Sequence, residues 1–326
     1  MTTVKINILI LSMATLTFTS CSKQNKSSNT LNTSTSNSSK IFGGVLAEET
    51  FQKENGIVGL VGFSTDAANI KPDGSVDPNA SYSLSICSGT LIDKNIVLTA
   101  AHCSTSMSTD SVLVAIAVNF KLDLTQDLTN FDFKDAIFVD KILVNQDFLK
   151  GFNNSMETDS ISWNDIALLR LSTNAPTTFQ FEKLASSSDM KTIENAKTAI
   201  LSGFGVANSI VNKLIIDPIT KKPVITAVPE KTPTSGILRK VENQNIVKLV
   251  SDAGKDIVFD QSKDTGSCHG DSGGPAFVKQ TDGSLLQIGV ASRGTEKTGN
   301  CIERGVFTNV AVQRNWIDSA IQAILK

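Results

Sequence analysis

At 326 residues the chain is long enough for a sizeable core, and its composition is that of an ordinary soluble globular protein with an unusual front end. Its 30 Lys and Arg against 32 Asp and Glu leave a formal net charge of −2, which gives no basis for nucleic-acid binding or for electrostatic steering of a charged partner.

Met1 to about Ser20 carries one lysine, Lys5, then an apolar run from Ile6 to Phe18, then small residues before Cys21. Such a run, at roughly 1.5 Å of rise per residue, is too short for the ~30 Å hydrocarbon core, so it is read as a secretory signal and the protein as exported. Phe18-Thr19-Ser20-Cys21 resembles a bacterial lipobox, with Phe18 where an aliphatic Leu is usual. That resemblance implies lipidation of Cys21 and a cell-envelope lipoprotein, periplasmic or at the cell surface; ordinary signal cleavage is the alternative. Residues 22–40 are almost entirely Ser, Thr, Asn, Gln and Lys, and cannot bury enough surface to offset their ordering entropy. They form a flexible pro-segment that ends at Lys40-Ile41-Phe42-Gly43-Gly44.

From Ile41 onward, short apolar runs alternate with turn formers: Gly56 to Phe63, Leu84 to Ile92, Ile96 to Ala100, Val112 to Phe120, Phe138 to Val144 and Ile166 to Leu171. Strands at this spacing, with few amphipathic helices, predict an all-β barrel or sandwich. Asp66 to Ser81, with Pro72-Asp73-Gly74 and Asp77-Pro78-Asn79, reads as a surface loop, as does Gly151 to Trp163. The acids Glu157 and Asp159 are unclustered, and Asp123 and Asp127 resemble part of a calcium site of known proteins but lack the pair of glutamates that goes with it, so no metal and no cofactor is expected. Val206 to Gly236 carries Pro218, Pro223, Pro229 and Pro233, a density that forbids a central strand and predicts an extended surface insertion. Trp316, Ile317, Ala320, Ile321 and Ile324 recur at helical spacing in a terminal helix at about 313–325, expected to pack on the second half of the domain.

The chemistry centres on Gly266-Ser267-Cys268-His269-Gly270-Asp271-Ser272-Gly273-Gly274-Pro275. Glycines around a serine let backbone N–H groups approach a reacting carbonyl without Cβ atoms in the way. Ser272 is the candidate nucleophile and needs a base. Of the two histidines, His269 is too close along the same turn, and His102, in Leu98-Thr99-Ala100-Ala101-His102-Cys103, suits better. Asp165, beside the apolar run Ile166 to Leu171, is the candidate carboxylate that orients the imidazole. Gly270-Asp271-Ser272-Gly273-Gly274 also fits the G-x-S-x-G elbow of α/β-hydrolases, but those place their histidine after the serine, and none follows Ser272. A subtilisin-type order fails because no suitable Asp precedes the His in an alternating strand–helix pattern.

The order His102, Asp165, Ser272 and the three runs that carry it resemble the trypsin/chymotrypsin family of serine endopeptidases over roughly residues 41 to 320. The resemblance implies two six-stranded antiparallel Greek-key barrels with the active site between them, the first at about 41–160 and the second at about 161–312. It implies disulfides Cys87–Cys103 and Cys268–Cys301, leaving Cys21 as the odd cysteine. It implies an oxyanion hole from the N–H groups of Gly270 and Ser272, and Ser292 behind the Asp165–His102 pair. It implies a primary pocket with Gly266 at the floor, lined by Ser267, Ser292, Gly294 and Gly305, open and uncharged, suited to a large apolar or aromatic side chain before the scissile bond. Lys40-Ile41 resembles the family's activation site: cleavage after Lys40, by a separate trypsin-like protease, frees an Ile41 ammonium to pair with Asp271. The bland reading is a Gly43-Gly44 turn entering the first strand. Cutting there also releases a lipid-anchored chain to the outside. Arg293 and His269 face the pocket entrance in this reading, where they either favour acidic substrate groups or form a solvated rim with Glu296 and Glu303. The expected partners are protein or peptide substrates, with no nucleic acid, and the expected state is a monomer. The rival is a catalytically silent surface lipoprotein that uses the same fold to bind proteins.

Overall fold

The computed structural model describes residues 41, 43–105, 110–125, 135–151, 164–207, 212–216, 223–227, 235–250, 254–295 and 301–326. The signal, Cys21, the pro-segment with Lys40, Phe42, Asp127, Glu157, Asp159 and Glu296 lie outside the described residues.

The first half contains β1 (Val45–Leu46), α1 (Glu49–Glu54), β2 (Ile57–Asp66), β3 (Ser83–Asp93), β4 (Ile96–Thr99), β5 (Ser111–Asn119), β6 (Ala136–Val144), α2 (Gln146–Gly151) and β7 (Ala167–Leu171). Strands β2-β3-β4-β7-β6-β5 close into an antiparallel barrel. Its interior follows the two-residue period of a strand: Val97 points inward with Val58, Leu60, Leu91 and Leu169, while its neighbours Ile96 and Leu98 point outward and are also buried. Burial at every position of β4, Ile96 to Thr99, is the mark of a strand covered on both faces.

The second half contains α3 (Met190–Asn195), β8 (Thr198–Gly203), β9 (Asn212–Ile216), β10 (Pro223–Ala227), β11 (Arg239–Val250), β12 (Asp256–Asp260), β13 (Pro275–Lys279), β14 (Leu285–Gly294), β15 (Arg304–Asn309) and α4 (Val310–Ile324). Here β8-β11-β12-β15-β14-β13 form the second six-stranded antiparallel barrel, closed by β13 on β8, with β1 added to the outside of β11. Phe259 and Phe307 meet edge to face in its core, with ring centroids 4.9 Å apart. The fold expected from the sequence, all-β with two six-stranded barrels and a terminal helix, is the fold observed.

Three expectations change. The first barrel runs to Leu171 and not to about 160, because β7 pairs with β4 and β6 rather than with any strand of the second barrel. The terminal helix begins at Val310, where Asn309 Oδ1 caps it by accepting the N–H of Ala311 at 3.0 Å. It packs on the second barrel, where Ala311 joins the core and Val290 of β14 meets Val310 and Ile317, and equally on the first, where Val310, Ile317, Ala320 and Ile324 join Ile96, Leu98 and Leu168. Arg170 and Lys141, both on the first barrel, donate to the carbonyls of Ile324 and Ala323 at its C-terminal end. The proline-rich insertion contains a hairpin, β9 with β10, in which Pro223 opens a strand of a two-stranded sheet. There its missing N–H costs no central ladder bond. Among the described residues no helix is long and apolar enough to cross a membrane.

Candidate active site

The cleft residues come from the ends of strands that the barrel register sets side by side. Thr99, the last residue of β4, pairs with Ala167, the first of β7. The turn that follows β4, Ala101–Ser104, and the residue that precedes β7 by two, Asp165, therefore meet. His102 Nδ1 lies 2.7 Å from Asp165 Oδ2, and the His102 backbone N–H donates to Asp165 Oδ1 at 3.0 Å. The double contact fixes ring and backbone together. Asn164, with φ +49°, turns the chain sharply before Asp165 and accepts from Gln313 Nε2 of α4 at 2.6 Å. This is how the terminal helix supports the site.

Asp165 is fully buried and takes two further bonds from the second barrel. Ser292 Oγ donates to its Oδ2 at 2.7 Å, the place that the resemblance implied for it, and Thr308 Oγ1 donates to its carbonyl at 3.1 Å. Burial pushes the carboxyl up, but the His102 charge and these hydrogen bonds outweigh it and hold Asp165 below its ordinary value. Burial likewise pulls His102 down, and the Asp165 charge and hydrogen bond overcome it, leaving the imidazole above its ordinary value. The outcome is a carboxylate ionised at neutral pH beside the ring nitrogen, leaving Nε2 as the second ring nitrogen.

Ser272 lies in the turn that enters β13, between Gly270 at φ +95° and Gly273 at φ +81°. A methyl group on Gly273 would fall on Thr99 Oγ1 and the Ser88 carbonyl, so the turn accepts only glycine there. The first barrel holds this turn through Ser88, which the sequence did not single out. Its N–H donates to the Ser272 carbonyl at 2.7 Å, its Oγ donates to the Gly270 carbonyl at 3.0 Å and accepts from Phe204 N–H at 2.9 Å. Nothing local marks one serine among many in β3; only the approach of the two barrels gives it a task. The disulfide Cys87–Cys103, next in sequence to Ser88 and His102, ties β3 to the histidine turn, and Cys268–Cys301 ties the serine turn to the loop before β15.

Asp271 points away from the cleft into the second barrel. Its carboxylate accepts the N–H of Gly205 at 2.8 Å and of Cys268 at 2.8 Å. A methyl on Gly203 or Gly205 would fall on this carboxylate, which explains the glycines of Leu201-Ser202-Gly203-Phe204-Gly205. Burial pushes its pKa from 3.8 to about 7, against the lowering by those two N–H groups and the Arg239 charge. Ile41 is 1% exposed, with its side chain in the core of the second barrel.

Of the residues that the resemblance implies for the pocket, Ser267 is half-buried and Gly294 exposed, whereas Gly266 and Gly305 are buried. His269 is exposed beside the serine turn. Arg293 is not on a solvated rim: its side chain is 6% exposed and pairs with fully buried Asp256 at 3.2 Å. The alternation of β14 turns Arg293 away from the cleft face that carries Ser292.

Comparison with known proteins follows the same outline. The family model described as Trypsin matches residues 71–317. The CLIP domain-containing serine protease B4 of Anopheles gambiae is 30% identical over 241 residues, spanning 72% of this chain and 62% of that protein. Trypsin alpha of Drosophila erecta is 28% identical over 292 residues, spanning 87% of this chain and 94% of its own length. An HL collagenase structure superposes with a TM-score of 0.54 at 19% identity, covering 86% of this chain and 99% of that one, a likeness of fold.

Proposed function

Because this chain belongs to the trypsin family of serine proteases, we propose that it is an exported serine endopeptidase acting through His102, Asp165 and Ser272. The observation that carries the reading is the buried Asp165, ionised and bonded at once to His102 Nδ1, to His102 N–H and to Ser292. A carboxylate so placed fixes the tautomer that leaves Nε2 free to accept a proton. His102 takes the proton of Ser272 Oγ as it attacks the scissile carbonyl, and Asp165 stabilises the imidazolium that forms. The N–H groups of Gly270 and Ser272 bind the oxyanion. His102 then protonates the leaving amine, the acyl-enzyme forms on Ser272, and water reverses the sequence. The primary pocket, with Gly266 at its floor and Ser267, Ser292, Gly294 and Gly305 around it, carries no charge and takes a large apolar or aromatic side chain.

The chain is made as a precursor, anchored through Cys21, that another protease activates after Lys40. What supports the activation step is the state of Asp271. Its carboxyl is buried, held up to about 7, and bonded among the described residues to N–H groups and to no cation. An ammonium at Ile41 is the missing partner. The sign of the pH effect follows. A carboxyl raised from 3.8 to about 7 keeps its proton in the folded chain after the unfolded chain has lost it. The uncut chain therefore loses stability as pH rises through that window. Cleavage replaces the cost by an ion pair, so the gap in thermal midpoint between protein beginning at Ile41 and uncut protein is expected to widen from pH 5 to pH 7. Glu182, raised to about 8 by burial, titrates in both forms and cancels in the difference. Equal midpoints for the two forms at every pH would contradict the pairing.

A further inference from the structure

The pocket floor is not open. Gln261, the residue that follows β12, is 1% exposed and lies between the two glycines the sequence reading left bare. A methyl on Gly266 would fall on its carboxamide carbon, and a methyl on Gly305 would fall on its Oε1. The space vacated by both missing side chains is thus filled by one residue from a third segment. Its carboxamide is fully engaged. Nε2 donates to the carbonyls of Ser267 at 3.0 Å and Cys301 at 2.6 Å, while Oε1 accepts both the N–H and the Oγ–H of Ser267, each at 3.0 Å. Two N–H donors and two lone pairs are all that a carboxamide has. Its own backbone N–H donates to the Glu303 carbonyl at 2.9 Å. The Cys268–Cys301 disulfide joins the same two walls, so the group is held from both sides.

We propose that Gln261 sets the depth and the polarity of the primary pocket, and restricts the residue before the scissile bond to Leu, Met and Phe while turning away Tyr, Trp, Lys and Arg. The proposal rests on the endopeptidase reading and narrows its substrate class. The open wall at Gly294 admits an apolar side chain from the entrance. At the bottom, a Tyr hydroxyl or a Lys ammonium meets an amide with no donor or acceptor left, and a buried polar group without a partner is costly. Phe and Tyr differ by that one hydroxyl, so the pair isolates the effect.

The test uses protein beginning at Ile41 and peptide amides that differ only before the scissile bond, with kcat/KM expressed per serine titrated by an organophosphorus probe. The expected result is that Phe and Leu exceed Tyr and Lys by about tenfold or more. Gln261→Ala, which exposes the Ser267 and Cys301 groups as partners for a hydroxyl, is expected to raise the Tyr-to-Phe ratio by about tenfold. Equal turnover of Tyr and Phe by the unaltered protein overturns the proposal, as does an unchanged ratio in Gln261→Ala. If Gln261→Ala yields no titratable serine, Gln261→Met decides. It keeps the length and removes the amide, and is expected to go on excluding Trp; admission of Trp overturns the claim on depth. Absence of both turnover and titratable serine in the unaltered protein overturns the endopeptidase reading itself, and the pocket proposal with it.

Discussion

Ser272→Ala is expected to lower turnover of a peptide amide on the order of 10⁶-fold while leaving the fold and the substrate KM nearly unchanged. The size follows from the division of labour. The hydroxyl is the atom that bonds to the scissile carbonyl, and without it His102 has no proton to accept and the acyl-enzyme cannot form. The fold is spared because the turn is held by backbone groups: Ser88 N–H on the Ser272 carbonyl, Gly273 N–H on the Ala291 carbonyl at 2.8 Å, and Gly274 N–H on the Asp271 carbonyl at 2.8 Å. None of these involves the side-chain oxygen. The check is single-turnover and steady-state kinetics beside thermal melting of both proteins. A residual rate within tenfold of the unaltered protein would remove Ser272 from the chemistry.

Asp165→Asn is expected to cost on the order of 10⁴ in kcat at neutral pH. Asp165 Oδ2 accepts from both His102 Nδ1 and Ser292 Oγ, and Oδ1 accepts from the His102 backbone N–H. An amide in that place must present its NH₂ to one side. Directed at His102, it makes Nδ1 the acceptor and puts the proton on Nε2, where it blocks the transfer from Ser272. Directed at the His102 N–H, it sets donor against donor and displaces the turn. The loss is expected to shrink at high pH, where hydroxide and an already ionised group replace part of the work of the base. A pH–rate profile that is merely scaled down, with its shape intact, would make Asp165 a structural residue and not the one that sets the tautomer.

How much of this was legible in the sequence depends on how local each signal is. The serine turn, the histidine turn and the aspartate each sit in a short run whose composition reports its own geometry, such as the glycines at 270 and 273 with positive φ. The cysteine pairs followed from the resemblance, and both are present. Partner choice was less visible. Nothing in Ala167–Leu171 says that it closes the first barrel, and nothing in α4 says that its apolar stripe reaches back to Ile96 and Leu168. An apolar stripe specifies that a face is covered, not by which barrel.

Residues that act across segments were the least visible. Gln261 stands five positions before Gly266 in a run of polar residues, and its sequence neighbours Ser262, Lys263 and Asp264 are all exposed. Only the pairing of β12 with β15 brings it between Gly266 and Gly305. Arg293 was read as facing the entrance because its sequence position adjoins Ser292. The strand sends it to the opposite face, where it pairs with Asp256. Removing one member of so buried a pair leaves an uncompensated charge, a cost of about 3–5 kcal/mol. Arg293 therefore belongs to the stability of the second barrel.

Active-site labelling tests the central claim most directly. Protein beginning at Ile41 is treated with a serine-directed organophosphorus probe, digested, and its adducts are mapped by mass spectrometry. A single adduct on Ser272, absent from Ser272→Ala and slow to form in Asp165→Asn, is the expected result. A correctly folded protein that takes no adduct, or takes it on another residue, would contradict the triad and leave a protein-binding module built on the same two barrels.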